Sequence, residues 1–456
     1  MDRKVKQAIP VLLITLAVLF LQLACNSKTT EAPKTEATAA APANSACTLP
    51  TTMAGSDAET AWKIFVAINC ASSLPNTPLV WETWTEQLCW LNPTAAACQS
   101  KTSSHTLHGS ALAAKKRTQT PSIEGTPCGP MTTKTDKSLA KWAPTNLSAT
   151  PFFCEEVYFN QAEAAYLTTP VAGQPLTLKT SAGQQAFAAS TAPGAGTVNF
   201  PTSAIEVKVD WVPVDSLDPK KPTFNCTNPP KGLYTEVIQG KCYALAGFHL
   251  SSKLSPKWLW ATFEPQSTIT NPNLCDPTLY SACNDTWGSQ NNPTTMVKSP
   301  HGTTPPVVPT AQLTALITAA GLANSPLASY VLVGTQTNYV DSNNLAIPLG
   351  SSFTEFNAGV LPQQASCITC HDFAMVSNGA TPVTPPGAPF PAFAGNAVAP
   401  KGPASPNTGN PTPPPFQTPA QTNQQQASSQ NPAVPTPGTT WIPLDFSWLA
   451  AFMPAK

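Results

Sequence analysis

Cys367-Ile368-Thr369-Cys370-His371 sets two thiols and an imidazole at offsets 0, 3 and 4. On a helical turn these positions share one face, so both sulfurs and the ring can address one planar ligand from the same side. The chemistry that asks for this set is c-type haem attachment, with two thioethers to the vinyl groups and one axial nitrogen to iron. Ser366 stands where a hydroxyl can cap such a turn. Three blander readings compete: half a zinc site, a redox dithiol, and chance in a chain of thirteen cysteines. Zinc wants four ligands, and no second C-x-x-C or C-x-x-H completes them. A thioredoxin-like dithiol wants a βαβ frame, whereas a proline tract follows here. The expectation is one covalent haem c on Cys367, Cys370 and His371, with His371 as the proximal iron ligand.

The second axial position has several candidates: His105, His108, His249, His301, Met53, Met131, Met296 and Met453, or no protein ligand at all. Met375 lies four residues beyond His371. That places it on the same turn and the same side of the haem, which excludes it as a ligand. His249 ranks first, because it falls in the apolar run Tyr243 to Leu250, where an imidazole needs a partner; His301 follows. His105 and His108 have metal-like spacing, but their Ser/Lys-rich surroundings read as a solvated loop rather than a second metal site.

Thioethers of this kind are made after export, and the N-terminus carries an export signal of its own. Arg3, Lys4 and Lys6 precede the apolar run Val11 to Ala24, long enough for a signal peptide and short for a spanning helix. The run ends in Leu21-Gln22-Leu23-Ala24-Cys25. This resembles a bacterial lipoprotein cleavage box, with Gln22 departing from the usual aliphatic residue, and it implies lipidation of Cys25. Ordinary cleavage with an unmodified Cys25 and an uncleaved membrane anchor are the alternatives. Setting aside Cys25 and the two motif cysteines leaves ten, an even number, which suggests disulfides in an oxidising compartment. Neighbour pairing would join Cys89 to Cys98, Cys226 to Cys242 and Cys275 to Cys283, each closing a short loop at about 3 kcal/mol.

Charge is sparse and balanced, 24 basic against 24 acidic residues. That argues against nucleic acid and against electrostatic docking on anionic membranes. The 51 prolines shrink the foldable part of the 456 residues. The chain reads as a signal peptide over 1–25, a flexible tether over 26–50, one large domain bearing the haem motif over 51–376, a Pro/Gln-rich low-complexity stretch over 377–438, and an apolar tail over 439–456 that docks back on the domain. Ser56 and Glu59 have capping-box spacing ahead of Trp62, Phe65 and Val66, which predicts a first helix. Leu79 to Leu91 is a second apolar, Trp-rich stretch, and Glu155 to Leu167 a further helical candidate. Ile205, Val207, Val209 and Trp211 alternate with polar residues as in a strand buried on one face. Tyr243 to Leu250 and Lys257 to Phe263 read as central strands, Gln312 to Leu322 as a helix, and Ser329 to Val333 as a strand. The fold class expected is α+β.

Several segments resemble uncharacterised bacterial cytochrome c family proteins: Phe65-Val66-Ala67-Ile68-Asn69, Val80-Trp81-Glu82-Thr83-Trp84, Ile205-Glu206-Val207-Lys208, Trp258 to Glu264, Leu332-Val333-Gly334-Thr335-Gln336, and Ser366 to His371. The resemblance implies a monohaem exported protein. Small soluble cytochromes c follow their motif with helices and a methionine loop, and the proline tract here departs from that plan. Three functions are consistent with the sequence. The first is one-electron transfer between periplasmic redox partners by a membrane-anchored lipoprotein. The second is a haem enzyme or gas-binding sensor with an open iron site. The third is a non-redox, disulfide-rich binding lipoprotein.

Overall fold

The computed structural model describes residues 44–73, 78–91, 128–130, 148, 152–170, 177–180, 182–184, 186, 198–217, 220, 224–238, 241–267, 271, 274–275, 283–291, 297–299, 302–304, 307–339, 341–342, 347–351, 365–371, 375–377, 441–443 and 445–447. Helix α1 spans Asp57–Ile68. Ser56 caps it, its hydroxyl accepting from the Glu59 amide at 3.1 Å, as the capping-box spacing predicts. Short α2, Gln87–Leu91, follows strand β1, Thr85–Glu86. The expected helix over Glu155 to Leu167 divides: Phe152–Phe159 is strand β3, and only Gln161–Thr168 is helix, α3. The physical reason is local. Asn160 interrupts the run in extended backbone and caps α3 by accepting from the Glu163 amide at 3.1 Å, while Val157, Tyr158 and Phe159 favour a pleated surface.

Eight of the described strands form one antiparallel sheet. With β2 as Cys128–Pro130, β4 as Ile205–Pro213, β5 as Thr235–Ile238, β6 as Lys241–Ser252, β7 as Leu259–Pro265 and β12 as Tyr330–Gln336, its order is β1-β3-β4-β6-β7-β12. Strand β12 forms an edge, β2 adds to β3, and β5 adds to the first part of β6. Of three small ladders that stand apart among the described residues, two are β8 (Ser289–Asn291) with β11 (Val307–Pro309), and β9 (Val297–Ser299) with β10 (Gly302–Thr304). Helix α4, Ala311–Ala319, starts at the Thr310 cap and buries Leu313 and Ile317, as its period predicts. Helices on an antiparallel sheet make the described part of the chain α+β.

The sheet's two faces differ in chemistry. On one, α1 lays Trp62 and Phe65 against the sheet. Phe65 stacks on Phe263 with ring centroids 4.1 Å apart and meets Phe248 edge-on at 5.3 Å. Val207, Val209, Leu250, Ala261 and Leu332 complete this apolar core. Period-two alternation sends their strand neighbours Lys208, His249, Ser251, Thr262 and Trp260 to the opposite face. Three disulfides join Cys47 to Cys70, Cys226 to Cys242 and Cys275 to Cys283, so two of the neighbour pairings expected from sequence form. Cys89 and Cys154 are also disulfide-bonded; Cys98 lies outside the described residues.

Candidate functional site

The Cys367–His371 segment is one helical turn, α5. Edge strand β12 anchors its start. Gln336, fully buried, accepts from the Ile368 amide at 3.2 Å through Oε1 and donates from Nε2 to Ser366 Oγ at 3.1 Å and to the Ile347 carbonyl. Ser366 forms a parallel bridge to Leu349, whose carbonyl lies 3.6 Å from the Cys367 sulfur. Ile368 is buried beneath the turn. The turn is therefore tied to the sheet through a side-chain amide acting as an external helix cap, which satisfies a backbone donor that a five-residue helix cannot satisfy internally.

His371 leaves this turn toward the polar face of the sheet. Its ring lies 4.3 Å from the Trp260 ring, and Nδ1 sits 2.9 Å from the Phe446 carbonyl. A carbonyl only accepts, so Nδ1 carries the proton and Nε2 keeps the lone pair. Burial pushes the imidazole down to about 3, the nearby Lys208 and His249 adding to the effect and the Phe446 carbonyl opposing it. The ring is neutral at any physiological pH. The residues present fit a c-type haem on the proximal side: a neutral imidazole with Nε2 available, its tautomer fixed by a backbone carbonyl, on the turn that also carries Cys367 and Cys370.

The carbonyl partner comes from the far end of the chain. Strand β13, Met375–Ser377, pairs with β14, Trp441–Pro443, bringing the apolar tail back onto the domain as its composition predicts. Beyond β14, Asp445 and Phe446 both take left-handed backbone, with φ of 52° and 66°, at a cost of about 1–3 kcal/mol each. Asp445 Oδ1 accepts from Lys253 Nζ at 2.5 Å and Oδ2 from the Phe200 amide at 2.7 Å. Burial raises the Asp445 carboxyl, while Lys253 and the Phe200 amide pull it back down. Ser447 Oγ donates to Glu163 Oε1 at 3.5 Å. Glu163, on α3, is wholly buried, and its carboxyl is raised well above the ordinary value by burial first and then by Glu206 and Asp445, with Ser447 opposing.

His249 stands on the same face of β6. Its Nδ1 is 3.1 Å from Thr262 Oγ1 and its Nε2 is 3.5 Å from Asp210 Oδ2. Gly247 makes room for that carboxylate, since a Cβ there would fall 2.5 Å from Asp210 Oδ2. Both ring nitrogens of the first-ranked distal candidate are thus engaged, and iron ligation would require His249 to give one of them up. Met375 opens a strand instead of continuing a helix past His371, so the same-turn geometry that excluded it is not the geometry found. Met53 packs on the apolar core on the α1 side of the sheet. Cys25, His105, His108, Met131, Met296, His301 and Met453 lie outside the described residues.

Gln336, Trp260, Phe446, Asp445 and Lys253 were not identifiable from sequence as site residues. Trp260 and Gln336 do lie within segments that carry the family resemblance, and Phe446 within the apolar tail; Lys253 has no such signal. Among the described residues no three His, Cys, Asp or Glu side chains gather to hold a metal ion by themselves, and no helix is long and apolar enough to cross a membrane. No protein-family model, curated protein or solved structure matches the chain.

Proposed function

We propose that this chain is an exported, monohaem c-type protein related to the cytochrome c family proteins its segments resemble. It passes single electrons between redox partners in the periplasm. Haem c is attached through Cys367 and Cys370, with His371 as the proximal ligand. The observation that carries the reading is the His371 Nδ1 contact with Phe446, which keeps the ring proton on that nitrogen and leaves Nε2 with its lone pair as the ligand atom. When bound, the haem supplies reversible one-electron chemistry at iron. The chain's own part is to hold His371 neutral and oriented between Trp260 and Phe446 and to fix the turn through Gln336. Disulfides suit the oxidising compartment in which such thioethers form, and lipidation of Cys25 would tether the domain to a membrane. The test is expression in a host that matures c-type cytochromes, followed by a denaturing gel stained for haem peroxidase activity. A stained band that disappears in Cys367→Ala/Cys370→Ala supports the assignment, and a colourless wild-type band ends it.

A second reading, a haem enzyme or gas-binding sensor with an open iron position, is favoured by one observation. His249 is already engaged by Thr262 and Asp210. Visible spectra of the reduced protein with and without carbon monoxide separate the two: rapid formation of a carbonyl complex marks the open site, and an unchanged spectrum marks the electron carrier.

A further inference from the structure

We propose that Asp445 and Lys253 act as a positioning pair that holds the Phe446 carbonyl against His371 Nδ1, so that the C-terminal segment sets the basicity of the proximal imidazole. The inference rests on the haem reading of Cys367, Cys370 and His371 and extends it to residues outside the motif.

Within α5 the contact that fixes the His371 tautomer comes from outside the turn. It reaches the ring from residue 446, across the low-complexity stretch. The backbone that presents it is strained, with positive φ at two successive non-glycine residues, and such backbone persists only where its surroundings over-determine it. Asp445 supplies that determination. Its two oxygens are taken by Lys253 Nζ and the Phe200 amide, and Lys253 Nζ also donates to the Pro256 carbonyl at 2.9 Å. Both side chains are buried, 6% and 7% exposed, so water does not compete for the pair. Lys253 and Pro256 belong to the β6–β7 connection, which continues through Trp258, itself at φ 62°, into Trp260 against the His371 ring. One corner of the sheet therefore grips the imidazole twice, by a ring contact and by a carbonyl held through an ion pair.

A hydrogen bond from the non-ligating nitrogen raises the basicity of a ligating imidazole, which favours ferric over ferrous iron and lowers the reduction potential. A pair with a merely structural role would change the melting temperature and leave the iron alone. The experiment uses the full-length, haem-loaded protein and the variants Asp445→Asn and Lys253→Met. Asn is chosen because it tolerates left-handed backbone and still accepts from the Phe200 amide. Both variants should keep covalent haem, shift the midpoint potential upward, and speed hydrogen exchange of the His371 Nδ1 proton in the reduced protein at least about tenfold. The double variant should go no further than either single one, because the two residues act as a unit. Unchanged potential and exchange in Asp445→Asn, or additive effects in the double variant, overturn the proposal even if Lys253→Met fails to fold. If the wild type carries no covalent haem, the haem reading has failed separately. The positioning claim is then decided in the haem-free chain, where exchange of the same proton must still quicken in Asp445→Asn.

Discussion

His371 Nδ1 lies 2.9 Å from the carbonyl oxygen of Phe446, a residue 75 positions further along the chain. The contact joins the one motif with an evident chemistry to the last described segment of the protein. It also makes the β13–β14 ladder part of the site, since that ladder returns the chain end to within reach of His371. A truncation after residue 438 would remove the acceptor while leaving the motif intact.

Gln336 is the residue on which the geometry of α5 depends. Replacing it with Leu keeps the volume but removes the hydrogen bonds that Gln336 makes with the Ile368 amide, the Ser366 hydroxyl and the Ile347 carbonyl. The Ile368 and Ser366 bonds are buried and the Ile347 bond is half-buried, so the substitution should cost about 2–4 kcal/mol. Urea unfolding followed by tryptophan fluorescence measures the loss. Gln336→Glu keeps an acceptor for the Ile368 amide but, ionised, has no donor for Ser366 or Ile347, so it should also destabilise the fold, and less at low pH where its carboxyl is protonated.

Glu163 gives the fold a pH dependence of defined sign. Its carboxyl holds a proton more tightly in the folded chain than in the unfolded one. This contribution to stability is complete below the unfolded value of 4.5 and is lost as pH rises through the raised folded value. Glu163→Gln is neutral at every pH and should melt higher than the wild type at pH 8, with the gap closing toward pH 4.5. Thermal melts across that range decide it; an equal gap at both ends would show that Glu163 does not titrate with folding.

Phe65 is the keystone of the apolar face, stacked on Phe263 and edge-on to Trp62 and Phe248. Phe65→Ala should cost about 3–5 kcal/mol through lost burial and the cavity left behind. Phe65→Leu, which refills most of the volume, should cost less than half of that. Chemical denaturation of the two variants side by side gives the comparison.

The Cys226–Cys242 disulfide links residues 16 apart on the β5–β6 side of the sheet. Replacing both cysteines with Ser should lower stability by about 3 kcal/mol, chiefly by freeing the unfolded chain. Wild-type and variant melting curves should converge when a reductant is present, and curves that differ equally with and without it would mean the bond does not form.

Much of this arrangement was legible from local pattern. Alternation in Ile205 to Trp211 marks β4, because strand side chains repeat every two residues and one face is buried. The Ser56–Glu59 spacing marks the start of α1, because a cap is a contact between near neighbours in sequence. The offsets in Cys367 to His371 place the motif on one turn for the same reason. The division of Glu155 to Leu167 at Asn160 into strand and helix is made by β3 pairing with β4, which periodicity alone does not contain. What holds His371 was decided by the tertiary structure alone. Trp260, Gln336 and Phe446 reach it or its turn across separations of tens to more than a hundred residues, Lys253 acts only through Asp445 beside Phe446, and no short-range rule of spacing relates them. The residue types that do chemistry are local in the chain, whereas the tautomer, orientation and desolvation that tune them come from whatever the sheet brings alongside.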